Sequence, residues 1–217
     1  MERLPPPPPS ADLPEIRRRE VRELPAGTRI WRIYPRSGKH PGDWNGFRHF
    51  GPLATGRFDH HLPPPRGQDR AILYGAVGVG RRRGSPGVAC VAEFFQDTRT
   101  IDPARIEPWL VGFALARTVR LLDVTTAWIT RAGGNQAISS GERSRARAWS
   151  RAIYERFPEV EGLHYVPSTY GPGRAVALYE RAEIALPVRS VFHRPLSDPG
   201  LRDSLRRAAR VLNYDLL

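Results

Sequence analysis

The order of apolar and polar residues predicts a series of short strands interrupted by a few helices. Strand-like runs are alternating or continuously apolar and are bounded by glycine or proline; they occur at residues 29–34, 71–77, 109–116, 117–124, 163–166, 175–179 and 188–193. Several neighbouring runs are separated too briefly for a crossover helix, which favours antiparallel pairing. The pattern therefore predicts an α+β fold rather than a doubly wound parallel sheet.

Apolar residues at helical spacing predict helices at residues 87–98, at residues 143–157 and after Asp198. The second helix has the clearest pattern, because its large apolar side chains recur every four residues. Asp198 followed by Pro199 is a typical helix start. A glycine- and proline-rich loop at residues 36–53 separates the first two strands, and loops of this length are usually functional or mobile.

The first 27 residues differ in composition from the rest of the chain. Five consecutive prolines, Pro5 to Pro9, favour an extended conformation that builds no core. Residues 15–23 then alternate acids with arginines, which is typical of a solvated arm. We therefore predict a proline- and arginine-rich arm at residues 1–27 and one folded domain at residues 28–217, since 217 residues suit a single core.

The formal net charge of +12 raises the question of nucleic-acid binding. Lysine occurs once, so all but one of the 34 basic residues are arginine, as the codons of a GC-rich genome would produce without a functional demand. The densest basic clusters, at residues 17–19, 81–83 and 206–207, are not interleaved with aromatic residues as base-stacking surfaces require. A nucleic-acid-binding module is therefore the weaker alternative.

Cysteine content and hydropathy indicate the compartment. The single cysteine, Cys90, cannot form an internal disulfide, and no apolar run approaches the ~20 residues of a membrane span. We expect a cytoplasmic protein that does not enter a membrane. Asp59, His60 and His61 look like metal ligands, but adjacent residues of an extended segment point to opposite sides, so a turn is favoured.

Four residues are candidates for chemistry, and each has a simpler structural interpretation. Arg57 follows a turn glycine and either binds a phosphate or faces solvent. Tyr74 lies in an apolar strand, as a core residue or as a flat surface for an aromatic ligand. Glu93 falls in the most apolar helical window, where it points to solvent or is held for a purpose. Ser168 follows a strand and either caps a turn or binds a phosphate or ribose hydroxyl.

Taken in order with Arg32, these residues resemble the RES-domain family, named for its arginine, glutamate and serine. The matching segments are Trp31-Arg-Ile-Tyr34, Gly56-Arg-Phe-Asp59, Ile72-Leu-Tyr-Gly-Ala76 with Cys90-Val-Ala-Glu-Phe94, and Gly162-Leu-His-Tyr-Val-Pro-Ser168. The resemblance runs from about Arg32 to about Arg189. Many members have Gly-Arg-Trp-Asn where this chain has Gly-Arg-Phe-Asp, and the loop between Arg32 and Arg57 is long.

The resemblance implies an ADP-ribosyltransferase-like fold, in which a strongly bent, mainly antiparallel sheet and flanking helices form one mixed domain. It implies that Glu93, Arg57, Tyr74 and Ser168 are catalytic, and that Arg32, Arg57, Tyr74 and Ser168 bind NAD. The implied reaction cleaves the nicotinamide–ribose bond of NAD with phosphate or water as acceptor, and it needs no metal and no further cofactor.

A protein of this family is expected to be a toxin neutralised by a small cognate antitoxin. Transfer of ADP-ribose to a macromolecule is the nearest alternative, and a non-catalytic nucleic-acid-binding module is the more distant one. The sequence leaves the oligomeric state open, and a homodimer is one of the options.

Overall fold

The secondary structure alternates short strands with four helices. The computed structural model describes residues 3–62, 69–78 and 84–217. Within them the strands are β1 Val21–Leu24, β2 Arg29–Pro35, β3 Ile72–Val77, β4 Thr100–Ile101, β5 Pro108–Ala114, β6 Val119–Asp123, β7 Gly162–Tyr165, β8 Ala175–Tyr179, β9 Phe192–Pro195 and β10 Asp215–Leu216. The helices are α1 Pro86–Phe94, α2 Trp128–Arg131, α3 Arg143–Arg156 and α4 Arg202–Leu212.

Eight of these strands form one sheet, in the order β1-β6-β7-β8-β3-β2-β5-β9. Every neighbouring pair in it is antiparallel except β6 and β7, which are parallel. The short strands β4 and β10 pair in parallel as a separate sheet. The prediction of an α+β domain with a mainly antiparallel sheet is therefore confirmed.

Helices cover the sheet in two groups. Helices α2 and α3 place Trp128 and Trp149 in one apolar cluster with side chains from β3, β6, β7 and β8. Helices α1 and α4 pack together in a second cluster, against Ile33 of β2 and Leu110 of β5. This arrangement leaves the amino-terminal end of α3 and one face of α1 near the middle of the sheet, where the cavity described below lies.

Most predicted elements differ from the structure by one or two residues at their ends, and two differ by more. The helix predicted at residues 87–98 ends at Phe94, and Arg99 then adopts a positive φ of 51° as the chain turns into β4. The last strand of the sheet, predicted at residues 188–193, begins only at Phe192, and Val188 is 94% exposed. The glycine and arginine residues at 80–83 lie outside the described residues.

The amino-terminal segment packs on the folded domain, whereas the sequence predicts a solvated arm. Leu4 and Leu13 are buried in the cluster that contains the two tryptophans. The indole of Trp149 donates a hydrogen bond to the carbonyl of Pro5 at 2.8 Å, and that of Trp128 donates to Pro14 at 3.1 Å. The segment then continues into β1, which pairs with β6 at the edge of the sheet. No helix among the described residues is long and apolar enough to cross a membrane.

Candidate active site

A cavity of about 370 Å³ lies where β2, β3, α1, the loop before Phe58 and the residues after β7 meet. Its lining includes every residue of the predicted catalytic and NAD-binding set: Arg32, Arg57, Tyr74, Glu93 and Ser168. Strand alternation places Tyr74 and Ala76 on the same side of β3, and both line the cavity. The fold thus brings together five side chains that are far apart in the chain.

Glu93 lies on the face of α1 that borders the cavity. Ala89 and Cys90, one helical turn earlier, line the same cavity, whereas Val91 and Phe95 pack into the apolar cluster with α4. The hydroxyl of Thr169 donates to Oε1 of Glu93 at 2.9 Å. Burial raises the pKa of Glu93, while Thr169, Arg57 and Arg143 act in the opposite direction. The carboxylate is therefore desolvated and held in place beside cations.

Arg57 lines the cavity without a carboxylate partner in the described part of the chain. Its Nη1 donates to the carbonyl of Gly141 at 2.8 Å. Burial lowers the pKa of Arg57, the charge of Arg143 lowers it further, and Glu93 raises it. A guanidinium that is anchored on a carbonyl and lacks an ion pair remains available to an anionic ligand.

Two further arginines extend the positive charge from the cavity onto an adjoining shelf. Arg143 donates to Oε1 of Gln96 at 2.7 Å, and Arg147 donates to backbone carbonyls of the loop, that of Leu53 among them at 3.1 Å. Neither forms an ion pair within the described ranges. Arg57, Arg143 and Ser168 border both the cavity and the shelf. This end of the site suits an anionic group such as a phosphate.

The hydroxyl of Tyr74 is engaged by protein groups, although the residue lines the cavity. The hydroxyl donates to Oδ1 of Asp59 at 2.8 Å and accepts from the amide of Phe58 at 2.9 Å. Burial raises the pKa of Tyr74 well above its ordinary value, and the charge of Asp59 raises it further. Tyr165 lines the cavity nearby and packs edge-on against Phe58, with ring centroids 4.7 Å apart.

Arg32 and Ser168 line the cavity in different ways. Arg32 donates through Nη1 to the carbonyl of Gly46 at 3.3 Å, and its Nε is buried without a partner in the described residues. Burial lowers the pKa of Arg32 to about 10. Ser168 is exposed, just beyond β7. Arg32 is thus part of the wall, whereas Ser168 lies at the border with solvent.

Among the lining residues that sequence reasoning missed, Arg48, Arg143 and Tyr165 have the side chains of most interest. Arg48 lies in the long loop, whose length alone indicated a functional role. Arg143 is the first residue of α3, and nothing in its local pattern separates it from the other arginines of that helix. Tyr165 belongs to a matched motif, but a tyrosine at the end of a strand reads as a core residue.

The candidate metal residues are buried under the loop. The Nε2 atom of His60 lies 3.1 Å from a carboxylate oxygen of Glu180, and Nε2 of His61 lies 3.0 Å from the carbonyl of Arg48. In the part of the chain that the structure describes, no three His, Cys, Asp or Glu side chains are grouped to hold a metal ion. These histidines therefore pack and hydrogen-bond within the wall behind the cavity.

Comparison with known proteins identifies similarity to a solved structure. No protein-family model matches the chain, and no curated protein matches it. A chain in the crystal structure of the M. tuberculosis MbcT-MbcA toxin-antitoxin complex is similar, with a TM-score of 0.55 and 18% identical residues. The similarity covers 85% of this chain and 92% of that chain. At this level of identity the likeness establishes a shared fold, and it agrees with the architecture expected from the sequence.

Proposed function

We propose that this protein cleaves the nicotinamide–ribose bond of NAD, with phosphate or water as acceptor, and that it is the toxin of a toxin–antitoxin pair. The observation that carries the proposal is the convergence of Arg57, Tyr74, Glu93 and Ser168 on one cavity. The shared fold with a chain of a toxin–antitoxin complex supports it. So does the ordered set of motifs that resembles the RES-domain family.

The Glu93 carboxylate suits the chemical step. Nicotinamide leaves NAD as a neutral base, and the ribose becomes oxocarbenium-like in the transition state. A nearby carboxylate stabilises that positive charge, and it does so more strongly where water is excluded. Burial of Glu93 and its hydrogen bond from Thr169 match this role, and the departing ring needs no proton.

The other side chains suit binding. Arg57, with Arg143 beside it, provides cations without carboxylate partners in the described residues, as the pyrophosphate of NAD or an acceptor phosphate requires. The ring of Tyr74 can stack on nicotinamide, since its hydroxyl is occupied by Asp59 and Phe58. Ser168 can bind a ribose hydroxyl or the acceptor at the edge of the cavity.

The same charge distribution defines the antitoxin partner that we propose. A protein that blocks this cavity has to form ion pairs with the arginines at the cavity entrance. We therefore expect it to place carboxylates against Arg57, Arg143 and Arg147. We therefore expect the complex to weaken as salt concentration rises.

The decisive experiment incubates purified protein with NAD labelled in the ADP-ribose part, with and without phosphate. Release of nicotinamide together with a small labelled product supports the proposal, and the mass of that product identifies phosphate or water as acceptor. Label retained on a macromolecule would instead indicate ADP-ribosyl transfer. Absence of nicotinamide release would contradict both reactions.

A further inference from the structure

Asp59 lies behind the cavity wall and contacts three parts of it. We propose that Asp59 is a positioning residue for the reaction proposed above, on which this inference rests. Its carboxylate fixes the positions of the Tyr74 side chain, the Arg48 side chain and the turn that carries Arg57. Asp59 does not line the cavity itself, so it acts through the side chains that do.

The carboxylate of Asp59 is fully buried and fully engaged. Its Oδ1 accepts from the hydroxyl of Tyr74 at 2.8 Å and from Nη2 of Arg48 at 2.6 Å. Its Oδ2 accepts from the amide of Leu53 at 2.7 Å. A buried carboxylate is costly unless it is paired and hydrogen-bonded, so these three bonds determine where the carboxylate lies and what lies around it.

The bond to Leu53 closes the turn from which Arg57 projects. Within that turn the amide of Gly56 donates to the carbonyl of Leu53 at 3.1 Å. A Cβ atom at Gly56 would lie 2.2 Å from Oδ1 of Asp59, so only glycine fits here. The backbone next to Arg57 is thus packed directly on the Asp59 carboxylate.

The bonds to Tyr74 and Arg48 determine two other parts of the wall. The Tyr74 hydroxyl is held from both sides, by Asp59 and by the amide of Phe58, which fixes the direction of its ring. Arg48 lines the cavity and donates to the carbonyl of Phe50 as well as to Asp59. Because Asp59 neutralises Arg48, the lining cations left without an ion pair among the described residues are Arg32, Arg57 and Arg143.

The substitution Asp59→Asn isolates this role because it preserves size. An asparagine offers one oxygen and one amide group, so its N–H₂ would face either Leu53 N–H or Arg48, both of which are donors. A second variant, Gly56→Ala, keeps the carboxylate of Asp59 but forces it and the turn apart, because the added Cβ would overlap with the carboxylate. Asp203→Asn is the matched control, because Asp203 pairs with Arg206 on the exposed surface of α4.

Steady-state kinetics of nicotinamide release from NAD test the inference. We expect Asp59→Asn and Gly56→Ala each to raise KM for NAD about ten-fold, the scale of one lost charge-assisted contact, and Asp203→Asn to leave KM unchanged. A protein that is merely less stable would lose active molecules, so its apparent kcat would fall while KM stayed constant. Wild-type KM in both variants overturns the inference.

A double-mutant cycle tests whether Asp59 acts through Tyr74. If it does, Asp59→Asn and Tyr74→Phe together lose less than the product of their separate losses, because both break the same bond. Full multiplicativity overturns that link. If the wild type releases no nicotinamide, the proposed function fails, and the positioning of the turn is then tested by hydrogen exchange at residues 53–58. Unchanged protection of these amides in folded Asp59→Asn overturns that positioning.

Discussion

Two regions of the molecule differ in how their buried polar groups are paired. One is the cavity, and the other is the surface of α2 and α3 on which the amino-terminal segment packs. On the packed surface, the indoles of Trp128 and Trp149 both donate to backbone carbonyls of the segment. Glu20 is buried there as well, and Arg131 pairs with its carboxylate at 2.7 Å. The two indoles and the Glu20 carboxylate that join the segment to the domain are thus matched.

In the cavity, by contrast, comparable charged groups have hydrogen bonds but no ion pairs among the described residues. Arg57 and Arg143 have no carboxylate partner in the described residues, Arg32 keeps a buried Nε without a hydrogen bond, and burial raises the pKa of Glu93. Unmatched buried charge lowers stability, so such groups are typical of a site that a ligand completes. Helix α3 belongs to both regions, since Trp149 lies under the segment and Arg143 lies at the cavity.

Replacing the cavity carboxylate is the strongest test of this contrast. We expect Glu93→Gln to lower kcat for nicotinamide release by roughly 10²- to 10³-fold, because one charge-stabilising contact to the transition state is lost. Thermal unfolding should be unchanged or slightly higher, since a desolvated carboxylate disappears. Glu159→Gln, at an exposed glutamate, is the control. Full activity in Glu93→Gln would remove the carboxylate from the mechanism.

The packed surface should respond in stability instead. We expect Leu13→Ala to lower the free energy of unfolding by about 2–4 kcal/mol, because Leu13 is buried in the tryptophan cluster and a cavity remains. KM for NAD should not change. Denaturant unfolding and kinetics on the same samples measure both quantities, with Leu217→Ala as the control at a 76% exposed leucine. A raised KM would show that the segment also shapes the cavity.

Removing one cation should affect binding with little loss of stability. We expect Arg143→Gln to raise KM for NAD or for phosphate about ten-fold through the loss of a charged hydrogen bond. Stability should change little, because Arg143 lowers the pKa of Arg57 by repulsion and that of Glu93 by attraction, and the two effects oppose each other. Arg210→Gln, on the exposed side of α4, serves as the control. Unchanged kinetics for Arg143→Gln would place the anion elsewhere.

The smallest effect concerns pH and the wall behind the cavity. Burial lowers the pKa of His60 and of His61 below the ordinary 6.5, so both are protonated at a lower pH in the folded protein than in the unfolded chain. The contribution of these two histidines to the free energy of unfolding is then fully present above about pH 6.5. It declines as the pH falls towards their folded-state pKa values. Denaturant unfolding between pH 5 and 8 measures this slope. His60→Gln should reduce it, and an unchanged slope would exclude His60 as its source.

Local patterns predicted most elements of the sheet and helix α3. Residues 29–34 and 71–77 form β2 and β3 nearly as expected, because alternation and β-branched residues act over a few neighbours. Strand β1 was not predicted, since Val21–Leu24 has little apolar character and is a strand through its pairing with β6, about a hundred residues later. Residues 3–16 likewise pack through contacts with distant tryptophans.

By itself, the sequence determined the strand order along the chain and the identity of Arg57, Tyr74, Glu93 and Ser168 as candidates, because these depend on local spacing and ordered motifs. Only the tertiary structure decided that they share a cavity, that Arg143 joins them, and that Asp59 is the buried acceptor behind them. The physical reason is that pairing, burial and the loss of solvent are properties of side chains that meet from distant segments.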